Sequence, residues 1–302
     1  MPRSQPFGAW LAVQLRGSPE ARYIHCLLRE NLDERPAALG ALRAYVYAAH
    51  EDALRLLRDL ASPRLSLDPL LEEDAEPEDD TMGYPERLPI QTLKGYFGEI
   101  FAGLLAEHFA PFGEERWVVP AHLFRFHKVA FQYLESVRQT GRTLASLPGR
   151  TGDDCLAFQL DAAGRIAKVL YCEAKCTRSH DSELIRDAHE KVGSSAITDL
   201  LQLIEILQGR DDEEARRWVR ALRLLHMRPG AAAFERFDLV SYVCSQFPKR
   251  EPSWMPLDRP HSSYQGGRWL QAVEIYIHDV EALIREVYAP ATPAQKGEAH
   301  VG

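Results

Sequence analysis

No apolar run in this 302-residue chain approaches the ~18 residues that a bilayer-spanning helix needs. The first ten residues have no basic flank leading into a long apolar core, so no secretory signal is read there and a cytoplasmic protein is expected. Cysteine is sparse. Cys26, Cys155, Cys172, Cys176 and Cys244 are an odd set of five and form no CxxC, which argues against a disulfide framework and a zinc ribbon. Cys172 and Cys176 are four apart with no second Cys/His pair nearby, and buried reduced thiols are expected. Two loop signatures are also missing. Without GxxxxGK[ST] there is no Walker phosphate loop, and without GxSxG there is no nucleophile elbow of the α/β-hydrolase kind. Positive charge is in deficit: the formal net charge is −8, which argues against passive nucleic-acid binding across the whole surface. Lysine is the scarcer basic residue, seven of the 36 Lys and Arg, so a lysine beside a carboxylate merits inspection.

What is present reads as a folded α/β chain. The hydrophobic fraction of 45% and charged fraction of 26% are ordinary for globular proteins, and the length suits one large domain or two smaller ones. Residues 1–85 read as a mainly helical N-terminal region. "AWLAVQLRG" (Ala9–Gly17) is a candidate opening strand, and apolar residues from Leu39 to Leu57 recur at helical spacing. The acidic, aperiodic stretch Glu72–Pro89 reads as a linker. Residues 86–289 form the second unit. A helix is expected over Thr92–Phe109, with Gly95, Gly98 and Gly103 implying close packing, then a short strand in "RWVVP" and a helix over Ala121–Thr140. Strands Cys155–Leu160 and Ile166–Glu173 follow, turned by Asp161–Gly164. Helices over Asp187–Leu207 and Asp211–Leu225, strands Phe237–Cys244 and Trp269–Asp279, and a closing helix complete it. The tail from residue 290 reads as disordered.

The chemistry concentrates in "GDDCLAFQLDAAGRIAKVLYCEAKCT" (Gly152–Thr177). Glu173 and Lys175 are two apart, so in extended chain they share a face, with Ala174 opposed. If the two strands pair through the Asp161–Gly164 turn, Asp154 comes near Glu173, with Asp153 as its rival. Two carboxylates and the Ala174 carbonyl are the hard oxygen ligands that Mg²⁺ or Mn²⁺ prefers. Lys175, its pKa lowered in a dry site, would hold or deprotonate the attacking water. Glu99, on the preceding helix, is a further candidate carboxylate. The plain alternative is a surface ion pair between Glu173 and Lys175, worth at most ~1 kcal/mol.

In "GYFGEI", "GDDCLAF" and "LYCEAKC" the chain resembles the PD-(D/E)XK nuclease superfamily. The resemblance implies a mixed sheet flanked by helices, a restriction-endonuclease-like core. It implies a Mg²⁺-dependent endonuclease acting on DNA, with Asp154, Glu173 and Lys175 as catalytic residues and Glu99 preceding them. More narrowly, the order of segments is similar to the nuclease subunit of Hachiman-type antiphage defence, which implies a helicase partner. The rival function is a catalytically inactive nuclease-fold protein that binds nucleic acid or scaffolds a partner.

Other polar residues are secondary candidates. Arg186, His189, Lys191 and Ser195 lie on the helix after the E-x-K, and Gln202 lies further along. Arg186, Lys191, Lys249 and Arg250 are candidate phosphate contacts, with Trp254 beside the last two for base stacking. Asp279, after His278, reads as a helix cap.

Overall fold

The computed structural model describes residues 6–18, 22–61, 81–114, 117–123, 127–147, 153–194, 196–227 and 234–289. The expected tail beyond 289 and the first part of the expected linker, through residue 80, lie outside these residues. In chain order the elements are α1 (Phe7–Trp10), β1 (Leu11–Ser18), β2 (Tyr23–Glu30), α2 (Arg35–Ala61), α3 (Ile90–His108), α4 (His127–Thr140), β3 (Cys155–Leu160) and β4 (Ile166–Thr177). They continue with α5 (Ser182–Ser194), α6 (Leu200–Gln208), α7 (Glu213–Met227), β5 (Glu235–Cys244), β6 (Trp269–Tyr276) and α8 (Val280–Val287).

The six strands make one mixed sheet in the order β1-β2-β6-β5-β4-β3. β2, β6, β5 and β4 run parallel, while β1 and β3 close the two edges antiparallel. Parallel neighbours are buried on both faces, which is why β5 and β6 read as nearly continuous apolar runs. Strand alternation divides β4 between two cores. Leu170 and Cys172 point toward the layer of α1, α2, α3, α4 and α8, whereas Val169 and Tyr171 point toward α5, α6 and α7.

The described part of the first 85 residues contributes β1 and β2 to this sheet. β1 falls where an opening strand was expected, and β2 pairs with β6 almost 250 residues later. The sheet therefore spans the expected boundary. Asp52 of α2 also holds Arg210, between α6 and α7, through two hydrogen bonds of 2.9 and 2.5 Å. The second half of the expected linker is packed: Tyr84 and Leu88 are buried, and the Tyr84 hydroxyl meets His50 at 2.8 Å.

Several boundaries differ from expectation. "RWVVP" contributes one bridge, Val118 to Phe158. The second helix starts at His127, and the long helix expected over Asp187–Leu207 is two helices. The break has a cause. The buried carboxylate of Asp153 accepts from the backbone N–H of Thr198 at 3.0 Å and of Asp199 at 3.1 Å, capping the chain where α6 begins. β4 runs on through Thr177, so Cys172 and Cys176 both lie in the strand. All five cysteines are free thiols.

Candidate active site

β3 begins at Cys155, opposite Cys172, and β4 continues past that pair. The N–H of Ala174 therefore has no strand partner on that side, and it donates to Asp154 Oδ2 at 2.8 Å. In extended chain a residue's N–H and C=O point to the same side, so the Ala174 peptide edge faces Asp154. Asp153 is turned the other way. Its carboxylate is spent on Thr198 and Asp199, and its own N–H donates to Asp199 Oδ2 at 2.6 Å.

On the α5 face of the sheet, Glu173 is fully buried between two lysines. Lys175 Nζ lies 2.7 Å from Oε1 and Lys191 Nζ lies 2.5 Å from Oε2. The Lys191 ammonium is also 3.6 Å from Asp154 Oδ1. Three residues singled out from the sequence thus converge, and Lys191, expected only as a phosphate contact, joins them. An oxygen of Asp154 and one of Glu173 face the same positive charge.

Lys191 is delivered by the anchoring of α5. Ile185, Ala188 and Val192 bury the inner stripe of that helix. Its last turn is pinned by Arg268, whose Nη2 donates to Val192 O at 3.1 Å and Gly193 O at 2.9 Å. Arg236 donates to the same Val192 carbonyl, and the buried carboxylate of Asp238 holds both guanidinium groups. Gly193 permits the fit: a Cβ there would lie 3.0 Å from the backbone nitrogen of Gln265.

The electrostatics follow from burial. Desolvation pushes the Glu173 carboxyl up to about 7, and Asp154 pushes the same way against the pull of Lys175 and Lys191. For Lys175, burial acts to lower the pKa, but Glu173 and Asp154 outweigh it and the net shift is upward. This reverses the sign expected from a dry site. With both carboxylates present, Lys175 is an ammonium that donates, and a role as base is not supported by its surroundings.

The remaining candidates separate from this cluster. Glu99 is buried on α3, which packs on the opposite face of the sheet; a Cβ on its neighbour Gly98 would sit 3.2 Å from Cys176 Cβ. Among the described residues no three His, Cys, Asp or Glu side chains stand close enough to hold a metal ion, so Glu99 does not make the carboxylate pair a trio. His189 is buried, its Nδ1 bonded to Ile185 O at 2.8 Å, and burial pushes its pKa down to about 4. Arg186 is exposed and pairs with Glu183 and Asp187. Gln202 Oε1 is buried on α6 with no hydrogen-bond partner among the described residues. Lys249 and Arg250 are exposed; Trp254 stacks on His180 at 3.8 Å between ring centroids. Asp279 caps α8 through the N–H of Ala282 at 3.0 Å. Ser195 lies outside the described residues.

One further grouping has triad-like composition. Ser253, His25 and Glu274 are buried together, yet Ser253 Oγ and Glu274 Oε1 both meet the same ring nitrogen, His25 Nε2, at 3.0 and 3.2 Å. A relay needs the two ring nitrogens on different partners. This is a structural knot.

No protein-family model matches the chain, and no curated protein matches it. No helix among the described residues is long and apolar enough to cross a membrane.

Proposed function

We propose that the chain is a divalent-metal-dependent nuclease with a restriction-endonuclease-like core, in which Asp154 and Glu173 hold the cation and Lys175 serves the reacting phosphate. One observation carries the reading: Asp154 Oδ1 and Glu173 Oε2 face a single point of positive charge, Lys191 Nζ, beside the Ala174 peptide. A position already shared by two carboxylates and a cation suits a hard metal ion with oxygen ligands. Bound there, Mg²⁺ or Mn²⁺ would acidify a water and neutralise charge on the phosphoryl oxygens.

The chain's own residues supply the rest. Glu173, buried within β4, and Asp154, part-buried just before β3, form the anionic pair. Lys175, held as an ammonium, donates to a phosphate oxygen or orients the attacking water. Lys191 Nζ stands between the two carboxylates and would have to withdraw for an ion to be held there. DNA as substrate and a helicase partner belong to the same reading, and a net charge of −8 agrees with a partner that supplies part of the grip.

A binding-only nuclease-fold protein is the second reading. It is favoured by the two lysines, which already balance the two carboxylates without a metal. Supercoiled plasmid incubated with the purified chain in Mg²⁺ or in EDTA separates the two. Metal-dependent nicking that falls at least 100-fold in both Glu173→Gln and Lys175→Ala supports the nuclease. Equal nicking by wild type and both variants rejects the assignment, and DNA binding without nicking favours the second reading.

A further inference from the structure

The outer face of α7 carries a charge pattern that the fold does not use. Ala215, Trp218, Val219, Ala221, Leu222 and Leu225 are buried. Arg216, Arg217, Arg220, Arg223, Leu224 and Met227 are exposed. From Arg216 to Met227 there are four arginines and no acidic residue, in a chain whose net charge is −8. At ~100° per residue, Arg216, Arg220, Arg223 and Met227 fall within one narrow stripe, with Arg217 and Leu224 beside it. Arg216 pairs with Asp211 at 2.7 Å. Among the described residues, Arg217, Arg220 and Arg223 form no ion pair with an acidic side chain.

Like charges on one helix repel, and three arginines without local counter-ions gain most from an external polyanion. The stripe from Arg216 to Arg223 is ~10 Å long at 1.5 Å per residue, about three phosphate steps of one DNA strand at ~3.4 Å each. Its placement also bears on the choice of ligand. α7 belongs to the layer of α5 and α6, on the face of the sheet where Glu173 and Lys175 project, and its Trp218 packs against Phe158 of β3. A polyanion that reached the carboxylate pair from this side would pass the α5–α7 layer. Leu224 and Met227 are exposed apolar side chains at the C-terminal end of the stripe, beyond Arg223.

We infer that this arginine face of α7 is a binding surface for the phosphodiester backbone of the nucleic acid brought to the site. The inference rests on the nuclease reading for the identity of the polyanion. Fluorescence anisotropy in EDTA tests it, using a labelled 30-base-pair duplex and a 30-nucleotide single strand. The chains compared are wild type, Arg217→Glu/Arg220→Glu/Arg223→Glu, the milder triple Gln variant and Glu173→Gln. All three arginines are exposed, so the melting temperature should be unchanged, and the Gln variant guards against an effect of new acidic charge. At least tenfold weaker binding by the Glu variant is expected, with an intermediate loss for the Gln variant. The slope of log K against log salt should shrink by about two to three, since each lost phosphate contact removes ~0.9.

Equal affinity and equal slope in wild type and both triple variants overturn the inference, as does wild-type binding that does not respond to salt. Competition by polyglutamate as effective as by DNA would point to an acidic protein partner and also overturn it. Failure of the site reading shows separately, as undiminished nicking by Glu173→Gln.

Discussion

Glu173 and Glu274 are both fully buried carboxylates on the same face of one sheet, and they are treated in opposite ways. Glu274, on β6, accepts from the N–H groups of Trp254 at 3.1 Å and Met255 at 2.7 Å, and from the hydroxyls of Ser253 and Tyr276, with His25 Nε2 alongside. Burial would raise its pKa, but these donors outweigh it and the group lies below the ordinary carboxylate range. Among the described residues, Glu173, on β4, meets the tips of two lysines, and burial carries its carboxyl up to about 7. A carboxylate surrounded by short, fixed donors belongs to the architecture. One answered by long, flexible side chains is the kind of carboxylate that the proposed cation site requires.

The comparison can be broken most forcefully at Glu274. Glu274→Ala leaves His25, Ser253, Tyr276 and two backbone amides without their acceptor, and a loss of about 3–5 kcal/mol is expected in urea unfolding. Glu173→Gln should change stability far less while removing nicking. A large stability loss at Glu173 with little at Glu274 would invert the assignment.

The two aspartates provide the next contrast. Asp153→Ala removes the cap at the start of α6 and should cost about 1–2 kcal/mol, leaving metal-dependent nicking measurable. Asp154→Asn should keep the stability within about 1 kcal/mol and abolish nicking. Equal nicking by Asp154→Asn would remove that residue from the site.

Unfolding at different pH sharpens the difference in a gentler way. In EDTA, the Glu173 carboxyl binds a proton more tightly in the folded than in the unfolded chain. It therefore makes stability fall as pH rises from about 4.5 through about 7, and Glu173→Gln should flatten that fall. Glu274 acts with the opposite sign, its contribution fading as pH drops below the ordinary carboxylate range. A wild-type pH profile unaltered by Glu173→Gln would mean that the buried carboxyl is not shifted. The smallest effect is expected behind the site, where Gly98→Ala forces α3 away from Cys176 by a few tenths of an ångström. About 1 kcal/mol of lost stability is expected, with little change in nicking.

Much of the site was legible because strand alternation is local. The residues from Cys155 to Thr177 carry their own hairpin turn, and that turn sets which side chains meet. β3 begins and ends where its alternation says it should. Contacts between distant segments were not legible. "YIHCLLRE" is a strand because β6 lies beside it, and nothing near Tyr23 announces that partner. The break between α5 and α6 is made by Asp153, more than 40 residues upstream. Lys191 read as one basic residue on a polar helix start. Its arrival at Glu173 depends on Arg268 and Asp238 fixing the end of α5, and no spacing rule encodes that.

Titration of Mn²⁺ into the metal-free chain, followed by calorimetry, is the most direct test of the shared cation position. The expected result is one ion bound per chain, lost in Glu173→Gln and Asp154→Asn, and bound at least tenfold more tightly by Lys191→Met because no ammonium competes for the carboxylates. Mn²⁺ binding that is absent from the wild type, or unchanged in all three variants, would contradict the account.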